Sequence, residues 1–142
     1  MQERKNISSG GPWEAIVGYS RAVRIGSWIL VSGTTSMTPQ GLVGRGNAYE
    51  QARQAFRTIE VALQDAGASL SHVVRTRMFI TNMQFWEEVG RAHGELFGSI
   101  RPAATLVEVK RLIDPEMLVE IEADAYVPEA PVDLPGHKSE GR

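Results

Sequence analysis

The sequence predicts an α+β domain in which one mixed β-sheet carries two helices on the same face, with elements in the order β-β-α-β-α-β-β. Two segments show apolar residues at helical spacing, and the segments beside them alternate or are continuously apolar, as strands are. Strand–helix–strand crossovers are nearly always right-handed, which places both predicted helices on one side of the sheet.

The five predicted strands are short segments bounded by turn residues. They cover residues 19–25, 28–32, 73–80, 105–109 and 118–126. Gly26-Ser27 joins the first two as a two-residue hairpin turn that begins with glycine, and a turn with Asp114-Pro115 joins the last two. A further short strand near residues 4–7 is left open.

The first helix is predicted over residues 48–66, where apolar side chains form one stripe at spacings of three and four. Asn47 is its expected N-cap, and Gly67 is expected to end it. The second helix is predicted over about residues 84–97, with a cap at Asn82.

The last strand indicates which face of the sheet is covered. Its apolar positions, which alternate with its acidic ones, are Val119, Ile121, Ala123 and Ala125. The apolar set suits the helix-covered face, and the acidic set suits water, a ligand or a partner. Residues 28–31 are apolar on both faces, and a large apolar patch on an open sheet indicates that a partner covers it. We therefore expect a homo-oligomer that packs its sheets around a closed axis.

Composition excludes several classes of function. The chain has 142 residues, no cysteine, 15 basic and 17 acidic side chains, and a net charge of −2. Without cysteine there is no thiolate nucleophile or cysteine-bound zinc, and the three histidines have no metal-binding spacing, so no metal site is predicted. The near-neutral charge gives no support for nucleic-acid binding. No apolar run approaches the ~20 residues that span a bilayer, and the N-terminus lacks the apolar core of a secretion signal, so we expect no membrane association and a cytoplasmic location.

One domain accounts for the length. Residues 13–127 are expected to form it, residues 1–12 to be a flexible N-terminal segment, and residues 128–142 to be a flexible tail. The tail holds three of the seven prolines and almost no large apolar side chain, so it cannot bury enough surface to offset the entropy of ordering.

Six short segments occur in an order and spacing that are specific when taken together. They are Ser32-Gly33 after the hairpin, Gln51-Ala52 at the start of a helix, LQDAGASLSHV at 63–73, RTRMFI at 75–80, PAATLVEV at 102–109 and VEIEADA at 119–125. In these segments the chain resembles the RidA/YjgF family, also called the L-PSP endoribonuclease family, over about residues 13–127. The resemblance implies a chorismate-mutase-like fold and a homotrimer with ligand clefts between subunits. It also implies an enamine/imine deaminase, a hydrolase that acts on 2-aminoacrylate-type intermediates without a metal or organic cofactor.

The resemblance also assigns residues to the substrate site. Tyr19 and the Ser32-Gly33 turn would complete the pocket, and Glu122 would position or activate the water that attacks the imine carbon. The family's substrate-gripping arginine, in a Pro-Ala-Arg-Ser/Thr motif, falls on Ala104, and Thr105 follows it. A charge-assisted contact is worth about 1.5–3 kcal/mol, so the loss of this bidentate contact predicts capture of a small α-imino acid that is weaker by about 10–100-fold. The substitution therefore argues against 2-aminoacrylate as the substrate.

Two arginines could replace the missing one. Arg101 either swings into the cleft or is a solvated loop arginine, and Arg21 either reaches an anion in the pocket or forms an ion pair. Glu122 also has a second possible role, in which it lies on a solvated acidic face and pairs with arginines of a neighbouring strand. Trp13 either covers the mouth of the cleft or packs as an ordinary anchor.

The leading hypothesis is a RidA-like trimer that hydrolyses an imine, an enamine or a related carbonyl adduct of a small metabolite between its subunits. The alternative is a non-catalytic trimer that binds a metabolite or another protein, which the loss of the arginine at residue 104 favours. The family's ribonuclease label receives no support, because no basic patch with aromatic platforms is visible in the sequence.

Overall fold

The computed structural model describes residues 3–128. Its strands are β1 (Arg4–Ile7), β2 (Ala22–Ile25), β3 (Trp28–Thr34), β4 (Met37–Thr38), β5 (Gly41–Leu42), β6 (Val73–Ile80), β7 (Ala103–Glu108) and β8 (Val119–Tyr126). Its helices are α1 (Ala48–Asp65) and α2 (Trp86–Phe97), and short π- or 3₁₀-helical turns cover Glu14–Gly18, Leu70–His72 and Met83–Phe85.

Six strands form one mixed sheet in the order β1-β2-β3-β8-β6-β7, while β4 and β5 form a separate hairpin. The central strand β8 runs antiparallel to both β3 and β6, and β7 is parallel to β6 at the sheet edge. Helix α2 makes the crossover from β6 to β7, and α1 connects the β3 side of the sheet to β6. Because α1 packs on both β3 and β8 and also on α2, the helices cover one face of the sheet. The predicted α+β fold is confirmed.

Helix α1 forms where the sequence pattern predicts it and ends one residue earlier. Its buried side chains are Ala48, Gln51, Ala52, Ala55, Phe56, Ile59, Ala62 and Leu63. Asn47 caps the helix, since its side-chain oxygen accepts a hydrogen bond from the Glu50 amide at 3.0 Å. Gly67 follows the helix with a φ of +86°, a left-handed conformation that only glycine adopts without strain.

The N-terminal part of the domain differs from the sequence prediction. Residues 4–7 form β1, the short strand that the sequence left open, and pair with β2, so these four residues are not part of a flexible N-terminal segment. The strand predicted to begin at residue 19 begins at Ala22, because the preceding residues form a π-helical turn that ends at Gly18, with a φ of +93°. The pairing of β1 with β2 and the late start of β2 depend on contacts between residues that are distant in sequence, and the local pattern of apolar residues does not reveal them.

Three further predictions need adjustment. Helix α2 begins at Trp86, and Asn82 caps the 3₁₀ turn before it, where its side-chain oxygen accepts a hydrogen bond from the Gln84 amide at 2.9 Å. The β4–β5 hairpin was not predicted, because each of its strands has only two residues. The predicted flexible tail begins at the last described residue, and residues 129–142 lie outside the described part of the chain.

The face of the sheet opposite the helices is exposed in the single chain. On β3, Ile29 and Val31 are buried beneath the helices, whereas Trp28 and Leu30 are 47% and 49% exposed on the open face. Trp28 packs edge-to-face against Tyr126 of β8, with ring centroids 5.0 Å apart. No helix within residues 3–128 is long and apolar enough to cross a membrane.

A buried glutamine holds two loops against α1. The side-chain nitrogen of Gln51 donates to the carbonyls of Gly44 and Glu116 at 3.1 and 3.0 Å, and its side-chain oxygen accepts from the Leu118 amide at 2.8 Å. Gln51 therefore fixes the loop that precedes α1 and the loop that leads into β8, which are far apart in sequence.

We expect the Gln51→Leu variant to be less stable to urea by about 2–4 kcal/mol, because it removes three part-buried hydrogen bonds and leaves their backbone partners without the buried glutamine. Gln64→Leu makes the same chemical change on the exposed side of α1 and should stay within about 0.5 kcal/mol of wild type. Equal stability of the two variants would contradict the role assigned to Gln51.

Candidate functional site

A bulge in β3 shapes the site. The pairing with β8 steps from Val31 opposite Ala123 to Thr34 opposite Ile121, so β3 carries one extra residue at this point. Within the bulge, the Ser32 hydroxyl donates to the Ser20 carbonyl at 2.6 Å. This hydrogen bond connects β3 to the residues just before β2, beyond the last regular backbone pair of these two strands.

Gly33 in this bulge lies directly against the side chain of Glu120. A Cβ atom at residue 33 would stand 3.0 Å from the Glu120 carboxyl carbon, which is closer than such contacts normally come. A larger residue at position 33 would therefore push the Glu120 carboxylate away from the backbone of β3.

Arg21 is a buried cation beside the bulge. Its guanidinium donates to the Gly33 carbonyl at 2.7 Å and to the Thr34 hydroxyl at 2.9 Å, and it lies 5.5 Å from the ring centre of Tyr19. Its side chain also pairs with the Glu14 carboxylate at 3.7 Å. A charge buried in this way is tolerated because it is paired and hydrogen-bonded.

Glu14 connects this cation to the N-terminal segment. Its carboxylate accepts hydrogen bonds from the Ser8 hydroxyl at 3.0 Å and from the hydroxyl and amide of Ser9. Burial alone would raise the pKa of the Glu14 carboxyl, but the serine hydrogen bonds and the charge of Arg21 outweigh it and hold the pKa below its usual value. Glu14 is therefore a structural anion that stays ionised.

Glu120 has the opposite electrostatic environment. Burial, followed by repulsion from Glu122, raises the pKa of the Glu120 carboxyl, and the charge of Arg21 offsets this only in part. Its side chain makes no hydrogen bond to any residue between 3 and 128. A half-buried carboxyl with a raised pKa, whose oxygens make no hydrogen bond within residues 3–128, is suited to accepting and releasing a proton.

Both Glu120 and Arg21 line a cavity of about 1170 Å³. Its wall consists of the loop after β1, the π-helical turn, the β3 bulge, the β4–β5 hairpin, one side of α1 and the loop before β8. The charged side chains of the wall are Arg21, Arg57, Asp65, Arg111 and Glu120. Glu120 is therefore a carboxylate that a ligand in the cavity can reach.

The structure brings together some of the predicted site residues. Tyr19 and Gly33 line the cavity, and so does Trp13. Ser32 instead holds the bulge through its hydrogen bond to Ser20. Arg21 forms an ion pair with Glu14, which was one of the two alternatives for it. It also lines the cavity, where the other alternative placed it.

Glu122 is not part of the cavity wall. Its carboxylate lies 3.5 Å from the Arg77 guanidinium on the open sheet face, which matches the alternative in which it pairs with a strand arginine. The carboxylate in the cavity is Glu120, two positions earlier on the same strand face. The sequence showed both glutamates on this face, but only the position of the bulge distinguishes them.

The remaining predicted residues lie at the β7 edge and outside the cavity. Ala104 and Thr105 are exposed on this strand. Arg101 has a φ of +58°, and its side chain donates to the Gly98 carbonyl at 3.2 Å. In the single chain Arg101 is an exposed loop arginine rather than a cavity residue. Within residues 3–128 no group of three or more histidine, aspartate or glutamate side chains is placed to hold a metal ion.

Comparison with known proteins gives a consistent result. Residues 12–127 match the family described as Endoribonuclease L-PSP. The chain is 41% identical to the uncharacterized protein SCO2049 of Streptomyces coelicolor over 86% of this chain and 91% of that protein. It is 34% identical to the RutC family protein PYRAB12510 of Pyrococcus abyssi over 76% of this chain and 85% of that protein. The crystal structure of Rv2704 from Mycobacterium tuberculosis, a member of the YjgF/YER057c/UK114 family, is similar with a TM-score of 0.81 and 50% identity, over 88% of this chain and all of that one.

We expect Glu120→Gln to stabilise the chain at pH 7, by about 0.5–2 kcal/mol. Because the pKa of Glu120 is raised from 4.5 on folding, the folded state holds a proton that the unfolded state has released, so wild-type stability falls as pH rises through the interval between the two values. Glutamine does not ionise, so the variant does not lose stability in this way. The stability difference between the variant and wild type should therefore disappear near pH 4, where Glu120 is protonated in both states. Denaturation of both proteins at several pH values measures it.

Glu122→Gln is the matched control, since it neutralises the next glutamate of the same strand face. It should give a smaller gain, because it removes the repulsion that Glu122 exerts on Glu120 but also breaks the ion pair between Glu122 and Arg77. An equal or larger gain from Glu122→Gln would contradict the environment assigned to Glu120.

Proposed function

This chain belongs to the Endoribonuclease L-PSP family, also called the RidA/YjgF family, and we propose that it hydrolyses an imine or enamine of a small metabolite in the cavity that Glu120 lines. The observation that carries the proposal is the Glu120 carboxyl itself. It is half-buried, has free oxygens and a raised pKa, and lies against Gly33 beside a buried arginine.

The proposed reaction needs one group that both accepts and donates a proton. Glu120 takes a proton from a water molecule as the water oxygen bonds to the imine carbon and the electron pair of the C=N bond moves to nitrogen, and it passes this proton to the nitrogen to give a neutral carbinolamine. Glu120 then takes the proton of the carbinolamine hydroxyl as the C=O bond forms and the C–N bond breaks, and it delivers this second proton to the departing nitrogen. Imine and water thus give a carbonyl compound and ammonia.

Arg21 and Tyr19 position Glu120 rather than react themselves. Arg21 donates to the Gly33 carbonyl, and Gly33 is the residue against which Glu120 lies. Its charge also limits how far the pKa of Glu120 rises. The Tyr19 hydroxyl accepts from Arg21 at 3.4 Å and shares the cavity wall with it.

We further propose that the working form is a homotrimer. The open sheet face exposes the apolar side chains of Trp28, Leu30 and Tyr126, a pattern that copies of the chain would cover by packing sheet against sheet. In a closed ring of identical subunits, the open sheet face of every subunit is covered by a neighbour. Within this assembly, residues at the exposed β7 edge of one copy can approach the cavity of the next.

A non-catalytic binding protein is the second candidate. The observation that favours it is Ala104, where the family resemblance places a substrate-gripping arginine, together with Arg101, which is engaged at the Gly98 carbonyl. A chain of this kind would bind a metabolite in the same cavity without turning it over.

The deaminase proposal is tested with imines made in situ. An L-amino-acid oxidase converts phenylalanine to its imine, semicarbazide traps that imine, and hydrolysis by the protein lowers the yield of semicarbazone. We expect wild type to lower the yield and Glu120→Gln to lose about 10²–10⁴-fold in rate, the range that a general acid–base contributes.

Glu122→Gln distinguishes the two carboxylates and should stay within about threefold of wild type, because Glu122 lies outside the cavity wall. If Glu122→Gln abolished turnover and Glu120→Gln did not, the assignment of Glu120 would be wrong. A wild-type rate equal to the uncatalysed background would exclude hydrolysis of this imine and favour the binding protein.

The trimer proposal predicts a solution mass of three times the 15.6 kDa of one chain in light scattering after size exclusion. Leu30→Lys places a charge in the apolar patch of the open sheet face and should shift the mass toward that of one chain. Trp86→Lys changes a residue of α2 that is similarly exposed but lies off the open sheet face and outside the cavity wall, and it should leave the assembly intact. A single-chain mass for wild type at micromolar concentration would contradict the trimer.

A further inference from the structure

The cavity is far larger than a small α-imino acid requires. Its volume is about 1170 Å³, whereas pockets for drug-sized ligands span about 300–1,000 Å³. A three-carbon imino acid has only six non-hydrogen atoms and would leave most of this space to water. In the single chain, the cavity therefore has room for a ligand with a bulkier body.

Much of the cavity wall is apolar. The side chains that give it this character are Trp13, Val17, Met37, Val61, Leu112 and Ile113. Val17 and Ile113 are 69% and 68% exposed in the single chain, so apolar groups also stand where the cavity opens to water. Covering these side chains favours a ligand with an apolar body through the hydrophobic effect.

Two cations of the wall have no carboxylate partner within residues 3–128. The Arg57 guanidinium donates only to the side-chain oxygen of Gln54 at 3.3 Å, and Arg111 makes no ion pair with a described residue. Arg21 differs from them because Glu14 already balances its charge. The acidic groups of the wall are Asp65 and Glu120.

We propose that the cavity binds a small molecule with an apolar body and a carboxylate, and that Arg57 and Arg111 supply the charges that hold the carboxylate. This inference rests on the proposed function, and it specifies the substrate as a bulky, carboxylate-bearing imine or enamine. An arginine guanidinium offers paired N–H groups that suit a carboxylate, and water screens the contact less once the ligand fills the cavity. The two arginines come from α1 and from the loop before β8 and line the cavity, whereas Ala104 lies on the β7 edge outside it.

The inference is tested by binding, with probes that cannot react. The probes are 3-phenylpropionate, its uncharged amide 3-phenylpropanamide, and propionate, which has the carboxylate without the apolar body. Titration calorimetry on the full-length chain should show the phenyl acid binding at least tenfold more tightly than either of the other two.

The double variant Arg57→Gln/Arg111→Gln should lose at least tenfold in affinity for the phenyl acid and stay within about twofold for the amide. This loss corresponds to about 1.4 kcal/mol, below the 1.5–3 kcal/mol of a charge-assisted hydrogen bond because both arginines are exposed. The control Arg53→Gln/Arg91→Gln removes the same charge from α1 and α2 outside the cavity wall, and it should bind the phenyl acid as wild type does.

Each other outcome decides against the inference. Equal affinity of wild type for acid and amide, unchanged acid binding by the Arg57/Arg111 variant, or failure to bind either phenyl compound would overturn it. Should imine hydrolysis persist in that case, only this inference is lost. Conversely, selective acid binding by a chain that hydrolyses no imine would sustain the carboxylate site and overturn the proposed function.

Discussion

The site depends on the burial of one positive charge. Arg21 is buried, so its guanidinium needs an opposite charge and hydrogen-bond acceptors, and the surrounding residues supply them. The Gly33 carbonyl and Thr34 hydroxyl come from the β3 bulge, and the Glu14 carboxylate comes from the π-helical turn. Glu14 in turn accepts hydrogen bonds from Ser8 and Ser9, which orders the polar loop after β1. A single buried arginine thus links the N-terminal strand to the central hairpin.

The same arginine separates the properties of two carboxylates. Glu14 pairs with Arg21 directly and has serine donors, so its pKa is held down despite its burial. Glu120 lacks such donors within the described residues and has Glu122 as a neighbour, so burial raises its pKa and Arg21 corrects this only in part. One carboxylate is thereby fixed as a structural anion and the other can exchange a proton. Pairs of acids whose environments move their pKa values in opposite directions are typical of sites that perform acid–base chemistry.

The sequence predicted what depends on local pattern and missed what depends on distant contacts. The spacing of apolar residues placed α1 to within one residue and β6 without error, since each pattern extends over several turns or residues. Alternation along β8 placed Glu120 and Glu122 on the same face but could not rank them, because the bulge that brings Gly33 to Glu120 arises from pairing between strands. The hydrogen bond from Ser32 to Ser20 and the left-handed backbone at Arg101 have no local signal either. The role that the family resemblance assigned to Glu122 is therefore proposed for Glu120, because Glu120 lines the cavity and Glu122 does not.

The loss of an arginine at residue 104 changes where a ligand can be held. Ala104 lies on β7, an edge strand outside the cavity wall, so an anion at that edge would find no cation from this position. Three arginines do line the cavity: Arg21 immediately before β2, Arg57 in α1 and Arg111 in the loop before β8. Gln51 fixes that loop to α1 through two hydrogen bonds, one to the Glu116 carbonyl and one from the Leu118 amide. The proposed anion site therefore draws on α1 and the loop before β8, and the carboxylate that we propose as the acid–base, Glu120, lines the same cavity from the sheet.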